Sequence, residues 1–161
     1  MAYLPPGRVS RHFTEAELIA SARHPELVQW PPPVSVTTNA LVFATAVLEP
    51  WRTQVGPLKV NSWWRNTKLN RAVGGDSTSH HLLGAAADVA PLRMTRKEAW
   101  RRLIAMVNAG LPITEAIVYE AKSHIHVSYL WWQPIEEPEL LVKLRRGSTV
   151  DWADYRGWLS R

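Results

Sequence analysis

The sequence predicts an α+β fold: a small antiparallel sheet with flanking helices. Apolar residues recur at helical spacing in the first third and in the middle of the chain, whereas later segments alternate apolar and polar residues as strands do. The 161 residues are 46% hydrophobic and 20% charged, which suits one domain with a substantial core. We therefore expect a single domain over 1–161, with an N-terminal arm at 1–11 and a C-terminal tail at 135–161 packed on it.

Three segments carry helix signals. Thr14 stands three residues before Glu17, the spacing of a capping box, so a helix should begin near residue 14. Apolar side chains recur with helical period over 36–54. The segment 95–110 starts with Thr95 as a candidate cap and ends at a glycine, which predicts an amphipathic helix between them.

The strand signals follow the first two helices. Short alternating or apolar runs predict strands at 58–63, 84–89, 116–119 and 124–129. A polar, glycine-bearing stretch at 66–79 predicts a loop. The last two strands are separated by a short turn, so we expect them to pair antiparallel.

Composition excludes several classes of protein. The chain has no cysteine, which rules out a disulfide framework, a thiolate metal cluster and a cysteine nucleophile. It has no apolar run long enough for a membrane span and no secretory signal pattern, so we expect no membrane insertion. The net charge of +5 favours an anionic partner, either nucleic acid or a cell-wall polymer. Because no nucleic-acid-binding motif is present, we expect a partner other than nucleic acid.

Four of the six histidines lie in two close pairs, 80–81 and 124–126. His81, Asp88 and His126 would converge if the segments that carry them are neighbours in the sheet. Two imidazoles and one carboxylate suit a zinc ion that keeps a fourth position for water. His80 is expected to point away from the metal.

The residues around these histidines resemble a known family. The run Ser79-His80-His81-Leu82-Leu83-Gly84-Ala85-Ala86-Ala87-Asp88 contains S-x-H-x-x-G-x-A-x-D, with every specified position met. This pattern is typical of the zinc D-Ala-D-Ala carboxypeptidases and L-alanyl-D-glutamate endopeptidases, the VanY-like and hedgehog-like peptidases. Further segments are similar to the phage-type branch of that family in order and spacing: 12–18, 60–66, 69–75, 119–120 and 126–129.

The resemblance implies a hedgehog/D-Ala-D-Ala-peptidase-like fold, a Zn²⁺ cofactor and a set of site residues. His81, Asp88 and His126 match the metal ligands. Arg65 matches the arginine that holds the substrate carbonyl or the developing oxyanion, and Ser79 matches a residue on the substrate side.

The general base is less directly indicated. Several branches place a carboxylate three residues before the last histidine ligand, where this chain has Ser123. Glu120 lies six residues before His126, as in the branch that the chain most resembles, and is the candidate base. A solvated turn glutamate is the alternative interpretation of that residue.

Two aromatic positions complete the candidate site. His124 stands where the family usually has Trp, and it is a candidate substrate-side residue, with a second-sphere donor, a stand-in ligand and a structural role as alternatives. Trp64 precedes Arg65 and is a candidate lining residue, with core packing as the alternative.

Together these observations predict a zinc metallopeptidase that hydrolyses a stem-peptide amide of peptidoglycan, an endopeptidase or a carboxypeptidase. The missing signal pattern and the basic charge favour a phage-type endolysin, made in the host cytoplasm and acting on the wall after release, or a virion-associated enzyme. We expect a monomer. The alternative is a non-catalytic phage structural or wall-binding protein that retains the peptidase fold.

Overall fold

The fold was analysed in a computed structural model, which describes residues 7–119, 121–135, 138–143 and 149–150. Its element order is mixed α and β, as the sequence predicts. Within those residues, no helix is both long enough and apolar enough to cross a membrane.

In the part of the chain that the structure describes, five α-helices flank the sheet and are numbered in chain order. They are α1 (Glu15–Ile19), α2 (Val34–Phe43), α3 (Glu49–Val55), α4 (Thr67–Ala72) and α5 (Arg96–Asn108). A single wider π-helical turn, Ala44–Leu48, joins α2 to α3, so the two form one run that matches the helical pattern expected over 36–54. Short 3₁₀ turns at Pro25–Leu27 and His80–Leu83 complete the helical elements.

The helix caps agree with the sequence signals. The Thr14 hydroxyl accepts from the Glu17 amide while the Glu17 carboxylate accepts from the Thr14 amide, so the capping box is formed. Thr95 caps α5 through the Glu98 amide. The expected loop over 66–79 is wrong in its first half, because Asn66 caps α4 by accepting from the Leu69 amide at 2.9 Å.

Among the described residues, six strands form one sheet in the order β1-β2-β4-β3-β5-β6. Their bounds are β1 (Leu58–Ser62), β2 (Ala86–Pro91), β3 (Glu115–Tyr119), β4 (Ile125–Ser128), β5 (Glu139–Lys143) and β6 (Thr149–Val150). The four strands predicted from the sequence pair antiparallel with one another. β5 was not predicted, and it pairs parallel with β3. β5 and β6 place two parts of the expected tail in the sheet, whereas residues 136–137, 144–148 and 151–161 of the tail lie outside the described residues.

The core lies between the helices and one face of the sheet, with three indoles at its centre. Trp51, Trp63 and Trp100 are fully buried. Phe13 and Phe43 each meet the Trp63 ring edge-on, with centroids 6.0 and 5.9 Å away. Such pairs add directional attraction to the burial of apolar surface. Trp63 directly follows β1, so the core fixes the backbone that leads into the candidate site.

Candidate metal centre

Neighbouring strands and one turn bring the three predicted ligands together. Asp88 of β2 and His126 of β4 are direct partners in the antiparallel register, so their side chains stand on the same face of the sheet. His81 comes from the 3₁₀ turn that precedes β2. That turn is capped by the Ser79 hydroxyl and ends at Gly84 in the left-handed conformation, which returns the chain to the sheet.

The three donor atoms form a small, nearly equilateral triangle. His81 Nε2 lies 3.2 Å from His126 Nδ1, which lies 3.0 Å from Asp88 Oδ1, and the third side of the triangle is 3.4 Å. Ligands about 2.0–2.1 Å from a tetrahedral zinc ion are roughly 3.3–3.4 Å apart, so the triangle already has the required size to within a few tenths of an ångström. All three residues are buried. Their geometry therefore fits a zinc ion with a further position open to the cavity.

Hydrogen bonds on the far side of each ring set which nitrogen faces the centre. His81 Nδ1 contacts the Trp63 carbonyl oxygen at 2.5 Å, and because a carbonyl can only accept, Nδ1 carries the proton. His126 Nε2 contacts Glu115 Oε1 at 3.0 Å and donates to that carboxylate. The lone pairs needed for metal binding are thus those of His81 Nε2 and His126 Nδ1.

The electrostatics of the centre favour a positive charge among the donors. Burial alone would raise the pKa of Asp88, but the charges and hydrogen bonds of His81 and His126 outweigh it and hold that pKa well below its ordinary value. Burial lowers the pKa of His81. Burial would also lower the pKa of His126, but its hydrogen bonds to Asp88 and Glu115 reverse the effect and raise the pKa to about 9. The carboxylates of Asp88 and Glu115 thus favour positive charge at this point, which a bound metal ion would supply.

Arg65 is part of the centre rather than a free cation above it. Its Nη2 lies 2.7 Å from Asp88 Oδ2, and its Nε donates to the Ser62 hydroxyl at 2.8 Å. A register shift between Val60 and Ser62 in β1 places Ser62 opposite Asp88, which brings the serine to the arginine. Arg65 therefore holds the second oxygen of Asp88 and leaves Oδ1 to the centre.

The centre lies in the wall of an open cavity of about 1170 Å³. Of the other sequence-predicted residues, Arg65, Ser79 and His124 also line it. Trp64 instead packs in the hydrophobic core and lines a neighbouring cavity, its indole donating to the Leu82 carbonyl. Glu120, the candidate base, lies outside the described residues.

His124 and His80 both face the cavity. His124 Nε2 is 3.9 Å from Asp88 Oδ1, is shielded from solvent, and has no hydrogen-bond partner among the described residues. Its ring stands edge-on to Tyr119, with centroids 5.6 Å apart. His80, expected to point away from the metal, lines the cavity and contacts the buried Ser128 hydroxyl through Nδ1 at 2.8 Å.

Glu115 is the site residue that the sequence argument missed. It stands two residues before Ile117, the partner of His126 in the sheet, and reaches His126 along the diagonal between β3 and β4. A carboxylate at the start of the otherwise apolar run Ala116-Ile117-Val118-Tyr119 was the available signal. The apolar pattern of that run predicts only a buried strand and does not include Glu115.

An α+β fold with a buried His-Asp-His triangle in the wall of a cavity defines a candidate metallohydrolase. A model of the Peptidase M15 family matches residues 11–128, and the chain belongs to this family. Members of the family are zinc-dependent peptidases, so the triangle is a candidate zinc site. No curated protein matches the chain.

Proposed function

We propose that this chain is a zinc-dependent peptidoglycan peptidase that hydrolyses one amide bond of the stem peptide. The bond is the L-alanyl–D-glutamate bond, cut by an endopeptidase, or a D-alanyl-terminal bond, cut by a carboxypeptidase. The triangle of His81, Asp88 and His126 donors in a cavity wall carries this proposal. We further propose that the enzyme acts as a phage-type endolysin on the wall of the host.

In this proposal the three triangle residues hold the ion, and other side chains handle the substrate. A bound zinc ion supplies a Lewis acid that polarises a carbonyl and makes water a nucleophile near neutral pH. Arg65 keeps Asp88 oriented and places positive charge where the carbonyl oxygen of the scissile amide becomes negative. Glu120 accepts the proton of the attacking water and passes it to the leaving amine.

The remaining predicted residues bind and orient the peptide. Ser79 and His124 line the cavity wall and supply polar groups to it. Burial raises the pKa of Tyr119, another lining residue, to about 12, so its phenol keeps its proton. Trp64 packs in the core with its indole bonded to the Leu82 carbonyl, so it is not assigned to the substrate side.

The charge of the cavity wall supports an anionic peptide as substrate. Arg23, Lys59 and Lys122 line the cavity in addition to Arg65, against the acidic residues Asp76, Asp88 and Glu115. Asp88 and Glu115 are engaged by Arg65 and His126, which leaves the basic side chains in excess. Stem peptides carry free carboxylates, including the one at the carboxyl end. Cationic side chains around the opening would attract such a substrate and position it, an effect that salt weakens.

Incubation of the purified, zinc-loaded protein with purified peptidoglycan tests the proposal. Mass analysis of the released fragments reports both whether an amide is cut and which one. Asp88→Ala should abolish release together with bound zinc. Glu120→Gln should lower release at least a hundredfold with zinc retained, whereas Glu98→Gln, on α5 and outside the cavity lining, should match the wild type.

The same experiment distinguishes the non-catalytic alternative. A wall-binding or structural protein would sediment with peptidoglycan and release no fragment, and Glu120→Gln would change nothing. Fragment release that survives in Asp88→Ala would instead show that the triangle is not the catalytic centre.

A further inference from the structure

We infer that Glu115 is a positioning residue of the metal centre, which fixes the His126 ring so that Nδ1 faces the ion. The inference rests on the proposed zinc site formed by His81, Asp88 and His126. It assigns a function to a side chain that contacts neither the ion nor the substrate amide.

The His126 ring is held between two carboxylates. Asp88 Oδ1 is 3.0 Å from Nδ1, and Glu115 Oε1 is 3.0 Å from Nε2 on the other side of the ring. A buried imidazole with an acceptor at Nε2 has its proton there and its lone pair at Nδ1. Glu115 therefore selects both the tautomer and the orientation that the centre requires.

The contact also determines what kind of acceptor the ring meets. Glu115 Oε1 lies 3.0 Å from Nε2, so the acceptor is a carboxylate oxygen and not the oxygen of a neutral amide. An ionised acceptor makes the imidazole a stronger electron donor than a neutral one does, which strengthens the bond at the opposite nitrogen.

The geometry separates this function from that of a general base. Glu115 contacts Nε2 of the His126 ring, whereas the donor that His126 offers to the centre is Nδ1. While Glu115 accepts from Nε2, that carboxylate oxygen is not available to a water at the centre. Its loss should therefore appear first as weaker metal binding and not as an isolated loss of turnover.

Zinc affinity of the purified full chain, measured by competition with a chromophoric chelator at pH 7.5, tests the inference. Glu115→Ala should raise the zinc dissociation constant about 10–100-fold, the usual range for loss of such an outer-sphere partner. Glu115→Gln keeps an oxygen that can accept from Nε2, so it should recover most of the affinity and remain within about tenfold of the wild type.

Glu139→Ala is the matched control. Glu139 is the partner of Glu115 on the neighbouring strand β5 and is exposed. Its replacement by alanine therefore removes one carboxylate at the same register position of the sheet. It should leave the zinc dissociation constant within about twofold. Equal affinities of Glu115→Ala and the wild type, or equal losses in Glu115→Ala and Glu139→Ala, would overturn the inference.

Two further measurements exclude a merely structural effect. Thermal unfolding of the metal-free proteins shows whether Glu115→Ala is folded. If it is not, the zinc affinity of Glu115→Gln tests the inference instead. Histidine ring ¹⁵N shifts of the zinc-loaded proteins should show a protonated Nε2 at His126 in wild type and Glu115→Gln, and a changed Nε2 signal in Glu115→Ala. Tight zinc binding by a wild type that releases no peptide fragment would refute the proposed hydrolysis and leave the inference about Glu115 standing.

Discussion

The glycine that ends the ligand-bearing turn allows a quantitative test of how the site is built. Gly84 has φ of +72°, and a Cβ placed on it would lie 2.7 Å from the Val36 carbonyl oxygen of α2. Gly74 has the same φ of +72°, but its Cβ would meet nothing within 4 Å. The two glycines therefore share the backbone strain of an alanine substitution and differ in the steric clash.

The expected losses of unfolding free energy follow from the backbone strain and the steric clash. An alanine in the left-handed region costs about 1–2 kcal/mol, so Gly74→Ala should lose roughly that amount of unfolding free energy. Gly84→Ala should lose a further 1–3 kcal/mol or so, because the contact is with backbone that moves only if α2 moves. The gain from stiffening the unfolded chain is the same in both variants and cancels in the comparison.

Urea unfolding of the metal-free proteins, with the slope m checked for equality, measures the difference. Zinc affinity should also fall in Gly84→Ala, because the turn that carries His81 must shift. Equal stability losses in the two variants would refute the argument that close packing of the turn on α2 positions the ligand.

Three further substitutions test the contact between Glu49 and His12, the function of Arg65 and the packing of Trp63. Glu49→Gln should cost about 1–2 kcal/mol at pH 7, because hydrogen bonds chiefly from His12 overcome the effect of burial and lower the pKa of Glu49. A carboxylate with a lowered pKa stabilises the fold at neutral pH and loses that effect in acid. The difference in unfolding free energy between Glu49→Gln and the wild type should therefore close below about pH 4, and a difference that stays constant from pH 3 to 7 would contradict this. Arg65→Lys should lower kcat roughly ten- to a hundredfold with one zinc still bound, since lysine lacks the planar guanidinium that bonds Asp88 and Ser62 at once; an unchanged kcat would count against the assignment. Trp63→Phe should lower the unfolding free energy, measured with urea, by roughly 2–4 kcal/mol, because core volume is lost and the Gly84 carbonyl loses its indole donor. A loss below about 1 kcal/mol would show that the core readily repacks.

Much of the fold was predictable because its signals are local. The capping box at Thr14 and the cap at Thr95 depend on residues three apart, and the four predicted strands follow from short alternating or apolar runs. The short helix α4 was missed because six residues with one strong cap signal, Asn66, are a weak pattern. β5 was missed because its parallel pairing with β3 depends on contacts distant in the chain.

The candidate site likewise has residues that the sequence predicts and contacts that only the structure shows. Residue types and spacing were enough to select His81, Asp88 and His126, and the structure brings them into one triangle. Spacing did not reveal that Arg65 holds the second oxygen of Asp88, nor that Trp64 packs in the core. These contacts depend on where the Ser62 register shift and the turn after residue 79 place the side chains.

The sequence by itself determined the chemistry that is available: two imidazoles and a carboxylate at family spacing, an arginine, no thiol and a basic surface charge. The tertiary structure decided which nitrogen of each imidazole faces the centre, because the Trp63 carbonyl and the Glu115 carboxylate come from other elements. A ring nitrogen is made a donor or an acceptor by the group opposite it, and such partners are found through strand register and packing, which act over distances that a local pattern does not encode.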